Sequence, residues 1–332
     1  MTPLLTVQAV EAFERAFRLR MPFKFGNTVN THGRQAVIRV KIRLEDGRES
    51  WGYSAESLGA KWFDKNPALT DEQGLNQLRR SLRLASDAYL ASGPRTAFSF
   101  FADHYRAQVS RCAQEGLLPL VSTYGPALLD RAILDALCRL LGISFYEAIR
   151  RNLPGIAAHD VIPDLNGFDF AGFLSALKPA DTIEVRHTVG MVDPITAADQ
   201  PPGSRVDDGL PETLEEVVST YGHHYFKLKV GGNIRADIER LSAIAAVLDR
   251  AGQPYFVTID GNEQYADAEA ALEFWNAVTL EPRLARLREA TLFIEQPIAR
   301  QTALQTPVSP IAGVKPLIIV ESDGELDSFP RA

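Results

Sequence analysis

Cysteine, methionine and tryptophan are scarce in this chain of 332 residues, which contains two cysteines, three methionines and three tryptophans. Cys112 and Cys138 lie in helix-like segments without zinc-site spacing, so we expect buried thiols in a reducing compartment. No apolar run approaches the roughly 20 residues of a membrane-spanning helix, so we expect no membrane partner. Residues 1–10 lack the basic region and long apolar core of a secretion signal, which favours a cytoplasmic protein.

Excess positive charge is also missing, since the formal net charge is -7. This balance argues against broad nucleic-acid binding but allows a small anionic substrate held by a local metal or lysine. The sequence has no phosphate-binding P-loop, no glycine-rich dinucleotide motif, no serine-nucleophile elbow and no His-Glu-x-x-His zinc motif. With 45% apolar and 23% charged residues the composition is that of a globular protein, and the length predicts two domains.

Four short stretches share one pattern, an apolar, β-branched or aromatic run that ends in charged or amide residues. They span residues 226–230, 258–262, 292–297 and 317–322. A buried parallel strand whose carboxyl end opens into a site has this pattern. Helix-like segments alternate with the stretches, which predicts an α/β fold with a (β/α) barrel and an active site at the carboxyl ends of its strands.

Alternation along these strands predicts which side chains share a face. Residues two apart point to the same side, so Lys227 and Lys229 face one way while Leu228 faces the helices. The same rule places three further pairs on the inner face, namely Asp260 with Asn262, Phe293 with Glu295, and Ile319 with Glu321. Two lysines therefore face three acids from successive strands.

This set of side chains suits a metal-assisted base. Three carboxylates from neighbouring strand ends are the oxygen ligands that Mg²⁺ prefers. An ammonium beside a second ammonium and a metal loses its proton more readily, so its pKa falls towards that of a useful base. A lysine base with Mg²⁺ stabilising an ene-diolate is the pattern of enolase-superfamily sites.

Plainer interpretations remain for each residue. Lysines that alternate also occur on solvated edge strands, although helix-like flanks favour a buried strand here. Asp260 could cap a helix, Glu295 could pair with Arg300, and the residues after Glu321 also suit a simple turn.

The motifs in this order resemble the muconate lactonizing enzyme/mandelate racemase branch of the enolase superfamily. They are Lys-x-Lys at 227–229, Asp-x-Asn at 260–262, Ile-Glu-Gln-Pro at 294–297 and the acidic strand end at Glu321. The resemblance covers about residues 182 to 327, and more loosely the amino-terminal half.

The resemblance implies a role for each site residue. The implied Mg²⁺ ligands are Asp260, Glu295 and Glu321, the implied base is Lys229, and Lys227 would tune it. Asn262, Phe25 and Trp62 would contact the substrate. The family more often has Asp-Glu-Ser where this chain has Glu-Ser-Asp at 321–323, so Asp323 is a rival third ligand.

Residues 1–155 are predicted to form an α+β capping domain that begins with a three-stranded antiparallel meander. Its strands are predicted at 17–21, 36–44 and 50–53. The resemblance implies that loops at 22–33 and 54–65 close over the substrate. The alternative is that their aromatic residues belong to the core of the meander.

Helices are predicted from residue 70 to 153, beginning at Thr70. Asp130 and Asp135 lie in the third of them, where we interpret them as capping, ion-paired or solvent-facing groups rather than catalytic acids. A connector at 154–181, rich in proline and glycine, separates this domain from a barrel domain at 156–332.

The barrel domain contains five predicted strands, starting at about residues 183, 224, 256, 291 and 317. His187, in the first, is interpreted as structural rather than catalytic. Closure needs three more strand–helix units, and the resembling family carries a further lysine on the next strand. We therefore expect that the chain is a fragment or that its barrel is completed otherwise.

The resemblance implies a Mg²⁺-dependent enzyme that abstracts the proton α to a carboxylate of a small substrate. The ene-diolate would then undergo racemisation or epimerisation, cycloisomerisation, or dehydration, the last as in an acid-sugar dehydratase. The alternative from another class is a non-catalytic barrel that binds a metal or a carboxylate. Such barrels often assemble as homo-oligomers, a property that nothing in the sequence specifies.

Overall fold

The computed structural model describes residues 2–26 and 28–331. The chain divides into two compact units. The first comprises Met1–Phe17, Gly33–Asp181 and Gly324–Asp327, and the second comprises Arg18–His32, Thr182–Asp323 and Ser328–Ala332. The connector at 154–181 thus groups with the first unit, and the segment Arg18–His32 groups with the second.

The amino-terminal sheet has three strands in sequential order: β1 (Leu5–Phe25), β2 (Thr28–Leu44) and β3 (Glu49–Ser57). β2 and β3 are antiparallel, with Val40 opposite Gly52. The predicted meander is present, but its strands are longer than expected. Residues 22–25 and 28–33 lie in strands, so the loop predicted at 22–33 is wrong. Pro22 is a turn former and so favoured a loop, but proline is also tolerated on an edge strand such as β1.

Helices follow the sheet: α1 (Ala60–Phe63), α2 (Asp71–Leu90), α3 (Ala97–Gln114), α4 (Pro119–Ser122), α5 (Tyr124–Leu141), α6 (Phe145–Arg150) and α7 (Phe170–Ala176), with a 3₁₀ turn at Pro163–Leu165. Thr70 caps α2 with a reciprocal capping box, as the sequence indicated. The core lies between β2 and the helices, and α5 packs closely on β3. A Cβ on Gly52 would lie 2.1 Å from the carbonyl oxygen of Ala132, so this contact requires glycine.

The second unit contains a parallel sheet of five strands in sequential order: β4 (Arg186–Val189), β5 (Tyr225–Lys229), β6 (Phe256–Asp260), β7 (Thr291–Glu295) and β8 (Leu317–Ile318). The helices of this unit are α8 (Leu214–Tyr221), α9 (Ile234–Arg250), α10 (Ala268–Leu280), α11 (Ala285–Ala290), α12 (Arg300–Ala303) and α13 (Ser309–Ala312). Two 3₁₀ turns of this unit lie at Ala197–Asp199 and Pro282–Leu284, and a third, Leu326–Arg331, includes residues of both units.

Two strands of this sheet differ from expectation. β4 begins at Arg186 rather than at residue 183, and Ile183 is 89% exposed. β8 ends at Ile318, so the inner-face pair predicted from Ile319 and Glu321 does not form within a strand. The α/β class with a parallel sheet is confirmed. Within the described residues β4 and β8 are edge strands, so the sheet is not closed into a barrel there.

The helix-facing side of the sheet is a continuous apolar core. Leu228 is fully buried there, as predicted, and so are Val257, Ile259 and Ile294. The opposite face of the sheet carries the polar side chains.

Among the described residues no helix has the length and apolarity needed to cross a membrane.

Candidate active site at the carboxyl end of the parallel sheet

The last residues of three neighbouring strands lie side by side. Lys229 on β5 pairs with Asp260 on β6, and Asp260 pairs with Glu295 on β7. Each residue ends its strand, so the three side chains emerge at the same edge of the sheet. This is the arrangement that the alternating pattern predicted.

Lys227 lies between two of the carboxylates. Its Nζ is 2.8 Å from Oδ2 of Asp260 and 2.6 Å from Oε1 of Glu295. The Lys227 side chain is 14% exposed, and both acids are buried more deeply. Its ammonium therefore neutralises two carboxylates that would otherwise repel each other.

Lys229 contacts the same oxygen of Asp260, at 2.5 Å. Burial, aided by the neighbouring Lys227 ammonium, lowers the pKa of Lys229 below its usual value, although Asp260 opposes the change. For Lys227, burial is also the largest influence and acts downward. The attraction of Asp260 and Glu295 outweighs it, so the pKa of Lys227 rises. The pKa values of the two lysines are therefore shifted in opposite directions.

Asp260 is ionised in this setting. Burial alone would raise its pKa, but the two lysine ammoniums outweigh burial and lower it. Its other oxygen, Oδ1, accepts a hydrogen bond from the backbone N–H of Asn262 at 2.9 Å. A carboxylate that accepts from ammoniums and an amide in this way is held in one orientation.

Glu321 lies beyond the end of β8 and is buried. The Asn262 amide Nδ2 donates to its Oε1 at 3.4 Å. Asp323, the rival ligand, is exposed. Asn262 itself lies beyond β6, with φ of 44°, so it does not share the strand geometry that the sequence predicted for it.

Gln296 is a site residue that the sequence analysis missed. Its Oε1 accepts from the backbone N–H groups of Val320, at 2.9 Å, and Ser322, at 3.1 Å. Its Nε2 donates to the Ser322 hydroxyl at 2.7 Å and to the carbonyl oxygen of Ile298 at 2.8 Å. The buried carboxamide therefore holds the backbone on both sides of Glu321. The signal was present, since glutamine in a buried Glu-Gln-Pro run must find hydrogen-bond partners.

The loops after β6 and β7 are held in unusual conformations. Asn262, Glu263 and Gln296 all have φ between 34° and 68°, a region that non-glycine residues seldom occupy. A Cβ on Gly261 would lie 2.7 Å from Cα of Pro297, so the two loops are in close contact. Such backbone strain persists where surrounding contacts impose it, and it is common at functional sites.

A further ion pair joins these two loops. Arg300 donates through Nε and Nη2 to the two oxygens of Glu263, both at 2.8 Å, and both side chains are largely buried. The plain interpretation that Glu295 pairs with Arg300 is therefore wrong, because Glu295 contacts Lys227 instead.

The tip of the β1–β2 hairpin reaches this edge of the sheet. The N–H of Met191, just beyond β4, donates to the carbonyl oxygen of Lys24 at 3.0 Å. A Cβ on Gly26 would lie 3.1 Å from Nε2 of Gln264, two residues after Asn262. Phe25, next to Gly26, is therefore near the site, and its contact with substrate stays a prediction.

Two other sequence candidates have aromatic neighbours within their own units. His187 stacks on His223 with ring centroids 5.8 Å apart. Burial is the main cause that lowers the pKa of His187, and the neighbouring His223 lowers it further. That environment is consistent with the structural role expected for it. Trp62 belongs to the first unit, where its ring meets Phe63 edge-on at 5.0 Å. Its role as a substrate contact stays a prediction.

Whether the site suits Mg²⁺ depends on its donor set. Asp260, Glu295 and Glu321 are buried and carry the hard carboxylate oxygens that Mg²⁺ prefers as ligands. Among the described residues no three such side chains converge as a ready ligand set. Lys227 lies between two of the acids, which shows that this position favours positive charge. The donor chemistry therefore fits Mg²⁺.

The fold is similar to that of several solved enzymes. An N-succinyl Arg/Lys racemase from Bacillus cereus aligns with a TM-score of 0.56 and 15% identity, over 96% of this chain and 66% of its own. A dipeptide epimerase from Enterococcus faecalis, complexed with Mg and the dipeptide L-Leu-L-Tyr, aligns with a TM-score of 0.55 and 14% identity, over 96% and 68%.

A muconate lactonizing enzyme from Pseudomonas fluorescens, complexed with muconolactone, gives a TM-score of 0.54 and 18% identity, over 95% and 65%. The chain shares the fold of these enzymes. They belong to the branch that the four motifs resemble, so that resemblance is confirmed at the level of the fold. The chain spans about two thirds of their length. No protein-family model and no curated protein sequence matches it.

Proposed function

We propose that this protein is a Mg²⁺-dependent enzyme that removes the proton α to a carboxylate of a small substrate, with Lys229 as the base. The observation that carries the proposal is the geometry of two buried lysines at the carboxyl end of the sheet, whose Nζ atoms lie 2.8 Å and 2.5 Å from Oδ2 of Asp260 and whose pKa values shift in opposite directions. Two groups of one kind whose environments separate their acidities are the mark of an acid–base site.

Lys229 is suited to take a proton because burial favours its neutral form. Once it has the proton, its ammonium is stabilised by Asp260 at 2.5 Å. Lys227 keeps its charge beside Glu295 and so provides fixed positive charge near the reacting carboxylate. A water-poor site strengthens each of these interactions.

The proposed Mg²⁺ ligands are Asp260, Glu295 and Glu321. When bound, the ion supplies positive charge that stabilises the developing ene-diolate oxygens. Asn262 and Gln296 hold Glu321 and its backbone in place. The hairpin tip with Phe25 would cover the substrate.

The neighbouring structures suggest the reaction class. Their names include a racemase, a dipeptide epimerase and a muconate lactonizing enzyme. We therefore propose racemisation or epimerisation of an acylated amino acid or dipeptide as the first reaction to test, with cycloisomerisation and dehydration as the other members of the class.

The test is exchange of the α-hydrogen with solvent deuterium, followed by proton NMR with N-succinyl amino acids, dipeptides and hydroxy acids. Lys229→Met should abolish exchange while Mn²⁺ binding, measured by electron paramagnetic resonance, persists. Lys178→Met, at an exposed position, is the matched control. Metal binding without exchange of any of these substrates by the native protein would instead support the non-catalytic binder.

A further inference from the structure

A partly enclosed cavity of about 150 Å³ lies among α2, α3 and α5 of the first unit. Most of its wall is apolar and includes Ala85, Ala88, Phe101, Val109 and Pro126. An apolar protein cavity of about this volume is large enough to hold benzene. The space is therefore suited to an apolar group the size of one aromatic ring.

One end of the cavity is polar. Asp130 lines it, and the hydroxyl of Tyr89 donates to Oδ1 of Asp130 at 2.8 Å. Burial, and then the adjacent carboxyl, raise the pKa of Tyr89, so its hydroxyl keeps its proton. No hydrogen bond to Oδ2 of Asp130 forms within residues 2–26 and 28–331. That oxygen can accept from a ligand.

Asp130 also has no cation of its own in the part of the chain that the structure describes. Arg111 lines the cavity without forming an ion pair with Asp130. Both ring nitrogens of His104 are engaged elsewhere, Nδ1 with the carbonyl oxygen of Phe100 at 2.8 Å and Nε2 with the Ser92 hydroxyl at 2.7 Å. A carboxylate in an apolar wall without a counter-charge is costly, and a cationic ligand would relieve that cost.

We propose that this cavity binds a small primary ammonium compound with an aromatic or branched apolar body. The ammonium donates to Oδ2 of Asp130, and the body fills the space beside Ala85 and Ala88. The Tyr89 hydroxyl fixes the carboxylate in the required orientation.

The surroundings select this class of cation. A divalent metal ion needs about six oxygen ligands, which one carboxylate in an apolar wall cannot supply. A neutral alcohol of the same shape would donate one hydrogen bond but would leave the carboxylate charge unpaired. An ammonium on an apolar body satisfies both parts of the cavity.

The test uses the full chain at pH 8, above the pKa of about 7 to which burial raises Asp130. Benzylammonium, benzyl alcohol and toluene are titrated by isothermal calorimetry and two-dimensional NMR. The wild-type protein should bind benzylammonium at least about tenfold more tightly than benzyl alcohol, as expected for a charge-assisted hydrogen bond. Asp130→Asn should remove that preference, whereas Asp135→Asn, on the same helix but outside the cavity, should keep it.

Two further variants keep the proposal testable if Asp130→Asn does not fold. Tyr89→Phe should weaken benzylammonium binding several-fold and leave toluene binding unchanged, because only the hydroxyl is lost. Ala88→Leu should abolish binding of all three compounds by filling the space. Absence of benzylammonium binding, equal binding of benzyl alcohol, or an unchanged preference in the Tyr89→Phe or Asp130→Asn protein would overturn the proposal.

Discussion

Replacement of Lys227 by methionine tests whether its ammonium occupies the place of a cation. The ammonium contacts Asp260 at 2.8 Å and Glu295 at 2.6 Å. Both contacts oppose binding of a divalent ion, because the ammonium already neutralises much of the charge of the two carboxylates. We therefore expect Lys227→Met to bind Mg²⁺ more tightly than the wild-type protein does.

The magnitude follows from the two contacts. A hydrogen bond to a charged group contributes about 1.5–3 kcal/mol, so two at the lower value amount to about 3 kcal/mol. Since about 1.4 kcal/mol corresponds to a factor of ten, Mg²⁺ affinity should rise about a hundredfold. Without metal the variant should be less stable by about 3–5 kcal/mol, because two buried carboxylates lose a shared partner.

The assay combines calorimetric titration of Mg²⁺ with urea denaturation in the presence and absence of the ion. Added Mg²⁺ should restore more stability to Lys227→Met than to the wild-type protein, since the stabilisation by a ligand grows with the logarithm of its concentration relative to its Kd. Lys178→Met, at an exposed position, should leave both quantities unchanged. Unchanged or weaker Mg²⁺ binding by Lys227→Met would refute the idea that ammonium and metal compete.

Three further outcomes are expected. Gln296→Met should weaken Mn²⁺ binding about tenfold, because the backbone around Glu321 loses its hydrogen bonds. A Mn²⁺ titration followed by electron paramagnetic resonance measures this affinity. Gln301→Met, at an exposed position, is the control and should leave the affinity unchanged. Burial raises the pKa of Asp130 from 3.8 to about 7, so between these pH values the native state binds more protons than the unfolded state does. The free energy of unfolding should therefore fall as pH rises from about 4 to 7, by at most about 4 kcal/mol. Urea denaturation between pH 4 and 7 should show a weaker dependence of the free energy of unfolding on pH for Asp130→Asn than for the wild-type protein. An equally steep dependence would contradict the raised pKa of Asp130. Gly52→Ala should destabilise the first unit by about 1–3 kcal/mol or more in urea denaturation, because its Cβ would overlap α5.

Sequence reasoning placed most of the polar edge of the sheet correctly. Apolar runs that end in charged residues located the carboxyl ends of β5, β6 and β7, and the two-residue period put Lys227 and Lys229 on one face. These features are local, since strand propensity and alternation act within a few residues. The roles of the residues as base and ligands stay predictions.

The end of β8 could not be predicted in the same way, because a side chain from another loop determines it. The N–H of Gln296 still donates to the carbonyl oxygen of Ile318, in the manner of a ladder. The next available donor, the N–H of Val320, bonds instead to the Gln296 side chain. The strand therefore stops at Ile318, although the apolar run 317–320 continues past it.

Asp130 shows a further limit. The sequence favoured a cap, an ion pair or exposure for it, because acidic residues on helices usually have those roles. Its partner is the Tyr89 hydroxyl on α2, which is 41 residues away in the chain. No periodicity within α5 signals a contact of that kind.

The lysine contacts bear on the order in which the protein matures. In many small metalloproteins the ligands repel one another until the metal arrives, so that folding waits for the ion. Here Asp260 and Glu295 are neutralised by Lys227 from within the same sheet. On the proposed function, folding and metal loading are therefore separable events, and a chelator should leave the protein folded while it abolishes the proposed proton exchange until the ion is returned.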